Sequence, residues 1–399
     1  MQTGFVLGDR GLGAAGDTHP AWMLGHADMT AYRIVGASAV GQIHLAKKLP
    51  RDDAFLIRGI GPWLAVAVAD GVGSRPLSRY GATYVVESLT SQLLRPFAAL
   101  RVEPAEPRTF SALSKLVPSD QIDDMDFKPV VINNSVEPAT NALKELKLTF
   151  PQWARRASQS AQATAKLSDE SAYFQQVASL GWWVSATAIR DLAGTDGLDE
   201  VPSSSLASPL PDLATHMREV FNKTHQGLRS QADYLNLELP DLGCTALALL
   251  LNMETGRGVV GQIGDGALLG LTAKGRVIPL VEAPDTGDPQ ATYTINRPNF
   301  AKYLAVGLID QPEVDRFVGF YAMTDGLSGD LLYGDEEELR NWARGVYQNI
   351  WTSSTAAQAA TGLLNWLASY QVKGSWDDRT LVAVIRRMEN NGNRQPTPR

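Results

Sequence analysis

The sequence predicts an α+β chain whose sheets pack face to face and carry helices on their outer sides. Two observations predict it. Apolar runs such as Trp63 to Ala69 and Cys244 to Asn252 are continuous rather than alternating, as expected of strands covered on both faces. Between them lie stretches with helical spacing: Ala82, Val85, Val86, Leu89 and Leu93 in residues 78–94, and Leu213, Met217, Val220, Phe221 and Leu228 in residues 211–237.

In chain order, residues 1–30 are rich in Gly and Ala, with no GKS or GKT that would make a phosphate loop, and read as a lead-in or an extra edge. Ile34 to Ile43 alternates small and apolar residues, which suits a strand or hairpin. Residues 101–206, with scattered Pro, Ser and Asp, read as an insertion, and Asp120, Asp123, Asp124 and Asp126 within it as a solvated loop. Cys244 to Asn252 and Gly258 to Leu271 read as a strand pair, residues 282–306 as a polar flap, and 343–370 as helical. Residues 376–387 close the sheet, and 391–399 are expected to be a disordered tail.

Composition narrows the function. The 399 residues carry a net charge of −7, which argues against a nucleic-acid footprint. The single cysteine, Cys244, allows no intrachain disulfide and fits a reducing, cytoplasmic setting. No run approaches the roughly 20 apolar residues of a membrane span, so no membrane partner is expected.

The chemistry-bearing residues are aspartates at strand ends. Trp63 to Ala69 runs straight into Asp70-Gly71; Asp325-Gly326 follows another apolar run; Asp265-Gly266 sits between two; Asp377 and Asp378 precede a third. One such pair is as readily a hairpin turn. Several are harder to explain so, because an acid at the end of a buried strand is costly unless a cation offsets it. With carboxylates on offer and no CxxC or HExxH spacing, Mg²⁺ or Mn²⁺ is favoured over Zn²⁺.

These residues resemble the motifs of the metal-dependent PP2C-type (PPM) serine/threonine protein phosphatases, in particular the divergent bacterial branch. The family's ADGVGG is matched by Ala69 to Ser74, its G-T-T by Gly243-Cys244-Thr245, its GDSR by Gly264 to Ala267 without the Ser and Arg, its SDGL by Thr324 to Leu327, and its DN-[IM]-[ST] by Asp378-Arg379-Thr380. A bacterial G-x-x-H…P-x-Q-D-A-F pattern is met by His44, Pro50, Asp53, Ala54 and Phe55, with Asp52 in place of the Gln. The likeness covers roughly residues 34–100 and 210–387.

The resemblance implies a four-layer α-β-β-α sandwich of two antiparallel sheets flanked by helices, over residues 31–390 with the 101–206 insertion. It implies hydrolysis of phosphoserine and phosphothreonine by a water activated between two Mn²⁺ or Mg²⁺ ions, with a phosphoprotein substrate and a cognate kinase as partners. Asp70 would bridge the ions, the carbonyl of Gly71 would bind one, Asp325 and Asp378 the other, with Asp53 supporting them and Asp241 near a third. Asp265 would be structural. Lys48 and Arg51 are the candidates for holding substrate phosphate. His44 either protonates the leaving alkoxide or is bonded within its own loop. The alternative function is a non-catalytic adaptor of the same fold that binds a partner through residues 101–206.

Overall fold

The computed structural model describes residues 2–7, 22–47, 49, 51–75, 77–98, 182–185, 212–235, 237–282, 292–310, 316–332, 334–370 and 376–387. Its strands are β1 (Gln2–Leu7), β2 (Trp22–Asp28), β3 (Tyr32–Ala39), β4 (Ala54–Ile60), β5 (Trp63–Ala69), β6 (Trp182–Ser185), β7 (Ala246–Asn252), β8 (Gly258–Ile263), β9 (Ala267–Thr272), β10 (Val277–Pro279), β11 (Ala305–Ile309), β12 (Phe317–Met323) and β13 (Arg379–Arg386). They form two antiparallel sheets, in the orders β1-β2-β3-β13-β12-β9-β10 and β11-β8-β7-β5-β4-β6. The helices are α1 (Gln42–Lys47), α2 (Ser78–Ala98), α3 (Leu213–Leu235), α4 (Asp325–Leu332), α5 (Glu336–Thr352) and α6 (Ala356–Ser369).

Strand alternation sorts side chains into three cores. On β5, Leu64, Val66 and Val68 face the opposite sheet, together with Phe55, Leu249, Phe320, Val382 and Val384. The alternate residues Ala65, Ala67 and Ala69 face α2 and α3, where Val85, Leu89 and Phe221 cover them. On the seven-stranded sheet, Val35, Leu269, Tyr321 and Ala383 face α5 and α6 through Ala343, Tyr347, Leu363 and Leu367. The result is the expected α-β-β-α layering, and it explains why these strands read as continuous apolar runs.

One sequence expectation is narrowed and two change. Of the two readings of residues 1–30, 22–28 follow the extra edge and not the lead-in: β1 and β2 extend one end of the sheet, β2 pairs along β3, and Met23 and Ala27 lie in the inter-sheet core. Gly258 to Leu271 is not one strand. β8 belongs to the six-stranded sheet and β9 to the seven-stranded one, and the chain crosses between them at Gly264-Asp265-Gly266. Gly264 has φ +107°, and a Cβ there would lie 2.5 Å from Thr245 Cγ2, so the crossing needs glycine. Finally, β13 does not close the sheet but lies centrally, between β3 and β12. The 101–206 insertion falls outside the described residues, apart from the β6 backbone that pairs with β4; the 391–399 tail also falls outside them.

His26, on β2, makes the fold sensitive to acid. Burial lowers its pKa from 6.5 to about 4, against a smaller opposing pull from Asp28, and its Nδ1 has no partner. The neutral ring is favoured in the fold, so stability is intact above pH 6.5 and declines as pH falls towards 4, by up to about 3 kcal/mol. Urea midpoints measured across that range are expected to fall less steeply for His26→Phe than for the parent chain.

Candidate metal centre

The strand ends that carry the sequence's aspartates meet at one pole of the sandwich. Asp70 ends β5. Its N–H donates to Thr245 Oγ1 at 3.0 Å, and its carbonyl accepts from the Thr245 N–H at 2.8 Å. Val72 N–H donates to the Gly243 carbonyl at 3.0 Å, so the Gly-Cys-Thr segment pins the loop after Asp70. Gly71 is buried there, and a Cβ on it would lie 2.8 Å from the Asp52 carbonyl, which leaves no room for a side chain.

Asp325 opens α4, and Asp265 sits at the crossing between the sheets. Asp70, Asp265 and Asp325 each bring a carboxylate oxygen within 4.8 Å of the others. Asp265, which sequence reasoning took as structural, is therefore part of the group; its Oδ2 also accepts from Thr292 Oγ1 at 2.5 Å. Asp241, expected near a third ion, lies in the short 3₁₀ turn Leu239–Leu242 and is not one of the gathered carboxylates.

Asp53 is wholly buried beside Asp70. Its Oδ2 accepts from Thr380 Oγ1 at 2.6 Å and Thr324 Oγ1 at 2.9 Å. Thr380 has one proton to give, so the 2.6 Å contact with Ser38 Oγ must run from Ser38, and Ser38 in turn accepts from Arg51 Nη1 at 2.8 Å. This chain orients Asp53 while its Oδ1 finds no hydrogen-bond partner. Asp325 Oδ1 is likewise buried and unpartnered. Thr245, Thr324, Thr380 and Ser38 were missed as site residues, although the first three stand inside the motifs that marked the aspartates.

The electrostatics of the group suit a divalent cation. Burial raises Asp53, Asp70 and Asp325 well above the usual carboxylate range, Asp325 to about 6, and neighbouring aspartates raise them further. Unscreened acids this close retain protons unless a cation replaces them. The donors are all hard oxygens, and two are free of hydrogen bonds, which suits Mg²⁺ or Mn²⁺.

Asp378 does not play its expected part. Its Oδ1 accepts from Gly41 N–H at 2.6 Å, its Oδ2 from Asp52 N–H at 2.6 Å, and His44 Nδ1 lies 3.0 Å from both oxygens. Both oxygens are committed to holding α1 and the start of β4. Asp377, one residue earlier, acts electrostatically on Asp53, Asp70 and Asp325, and a Cβ on Gly326 would lie 3.4 Å from its Cβ. His44 is held by Asp378, with Nε2 3.8 Å from Asp52 Oδ2. The Asp378 hydrogen bond raises its pKa to about 9 against the effect of burial, which favours the protonated ring, bonded within its own corner.

The phosphate candidates also change. Arg51 is fully buried and donates to Ser38 Oγ and to the carbonyl of Asp53, with Met23 Sδ at 3.3 Å. It braces the strand ends instead of facing a substrate. Lys48 lies outside the described residues. Arg79, in the first turn of α2, reaches within 3.7 Å of Asp52 Oδ1 and is a cation of the cleft that sequence reasoning missed. Arg51→Gln is expected to cost about 3 kcal/mol by leaving buried polar partners unpaired. A chemical melt checks this, with KM of any active protein little changed.

The sequence profile described as Protein phosphatase 2C matches residues 40–368. The chain belongs to that family. The matched span contains Asp53 and the gathered Asp70, Asp265 and Asp325, and ends before Asp377. Among solved structures, RsbX in complex with magnesium is 12% identical, with 92% of this chain and 100% of that one covered and a TM-score of 0.41. The serine/threonine phosphatase of S. agalactiae is 11% identical over 89% and 100%, at 0.42. PppA, a regulatory component of T6SS in Pseudomonas aeruginosa, is 14% identical over 90% and 99%, at 0.40. No curated protein matches the chain. No described helix is long and apolar enough to cross a membrane.

Proposed function

We propose that this Protein phosphatase 2C chain is a divalent-metal-dependent phosphatase acting on phosphoserine and phosphothreonine in proteins. The observation that carries the reading is the gathering of Asp70, Asp265 and Asp325 within 4.8 Å of one another, with buried Asp53 beside Asp70 and an unpartnered oxygen on both Asp53 and Asp325. Asp70, Asp325 and Asp377 would hold Mg²⁺ or Mn²⁺, with Asp53 and Asp265 flanking. Such ions, when bound, neutralise phosphoryl charge and acidify water.

The chain's own residues supply the rest. Thr324 and Thr380 fix the free oxygen of Asp53 in one direction. Thr245 fixes the backbone of Asp70. Asp378 and His44 fix the loop that carries Asp52, and Arg79 partly neutralises Asp52. Rigid placement of this kind lets the site meet its charge load without reorganising. Physiological kinase and substrate identity would follow from a phosphoproteome comparison.

The test uses an aryl phosphate and a phosphothreonine peptide. Turnover is expected with added Mn²⁺, loss of it with EDTA, and recovery when Mn²⁺ is restored. A folded chain that stays inert with Mn²⁺ and Mg²⁺ would favour the adaptor reading.

A further inference from the structure

The opposite pole carries a cleft that the carboxylate site does not use. It is about 110 Å³ and lies among Tyr32, Glu254, Thr255, Arg316, Phe317 and Arg386. Tyr32 begins β3, Phe317 begins β12, Arg386 ends β13, and Glu254 and Thr255 lie in the turn between β7 and β8. The metal centre sits at the other ends of these strands. Eight residues of β13 separate the two, about 25 Å at the usual rise.

Charge marks this cleft out on an acidic protein. Arg33, Arg257 and Arg340 pair with Asp28, Asp310 and Glu336. Among the described residues, Arg316 and Arg386 have no carboxylate within ion-pair distance. The Arg386 guanidinium lies 5.7 Å above the Tyr32 ring, which holds its fork in place. Arg386 and Arg316 line the same cleft as Tyr32, and both oppose the rise that burial causes in its phenol. Glu254 is exposed at the rim and leaves the pair with a net positive charge.

Two guanidinium forks and a phenol O–H offer several donors to one small acceptor. A tetrahedral phosphate-class oxyanion, with three or more acceptor oxygens, matches this donor count better than a carboxylate, whose two oxygens would leave donors unused. We propose that this cleft is a second anion site, remote from the metal centre, that takes a phosphate-class oxyanion: inorganic phosphate or the head group of a phosphate monoester.

Calorimetric titration of the full chain with inorganic phosphate, and separately with O-phosphoserine, tests it, each with EDTA and with Mg²⁺. Binding is expected in EDTA, where the bare carboxylate centre repels anions, and Asp70→Asn should not alter it. Arg316→Gln and Arg386→Gln should each weaken it about tenfold or more, and the double variant should abolish it. Should Arg386→Gln unfold through loss of its Tyr32 contact, Arg316→Gln carries the test alone. Binding of phosphate only identifies the free ion as ligand; binding of phosphoserine only identifies a phosphorylated side chain. Failure of both to bind in EDTA, or binding indifferent to the arginines, overturns the proposal. Because EDTA removes metal-dependent turnover, neither result bears on the phosphatase reading.

Discussion

Asp70→Asn is expected to abolish turnover by a factor on the order of 10³ or more while leaving the metal-free fold as stable as the parent, or more so. The two halves have one cause. Asp70 is partly buried beside Asp53 and Asp325, and its carboxyl is raised by desolvation and by their charge. Replacing it by a neutral amide of the same shape relieves repulsion in the absence of metal. The same change removes the oxygen charge that a cation needs. Thermal melts with EDTA and with Mn²⁺ separate these effects: the parent gains stability on adding Mn²⁺ and the variant gains little. A variant that melts early in EDTA would mean that Asp70 is a structural acid and that the cation reading is wrong.

The adjacent pair Asp377 and Asp378 should respond in opposite ways. Asp378→Ala leaves two buried backbone N–H groups, of Gly41 and Asp52, and the His44 ring without their acceptor. A stability loss of about 3–5 kcal/mol is expected, read as a lower urea midpoint. Asp377→Ala touches no such network beyond the neighbouring Asp378 N–H at 2.9 Å. It should fold normally, lose Mn²⁺-induced stabilisation and lose most turnover. If Asp378→Ala stays stable but loses metal response, the roles assigned to the two residues are reversed.

Much of the fold was legible because burial on both faces leaves a plain mark: strands such as β5 and β7 have no polar side to hide. Asp70 and Asp325 could be found as acids at the ends of such strands. What failed, failed for identifiable reasons. Successive residues entering a strand point opposite ways, and nothing local to Asp377-Asp378 says which points to the cleft; the deciding contacts come from Gly41, His44 and Asp52, more than 320 residues earlier. Arg51 looked available for phosphate because a cation beside an acidic motif is usually exposed, yet its partners Ser38 and Met23 bury it. Asp265 was set aside because two apolar runs around Gly-Asp-Gly read as one strand with a turn, while the chain there changes sheets and carries the aspartate into the site.

An anomalous difference map from crystals grown with Mn²⁺ shows whether these carboxylates hold a cation. Manganese peaks are expected in contact with the carboxylates of Asp70, Asp325 and Asp377, and none on Asp378. A map with no peak among these aspartates, or with manganese bound only at other surfaces, would contradict the cation reading.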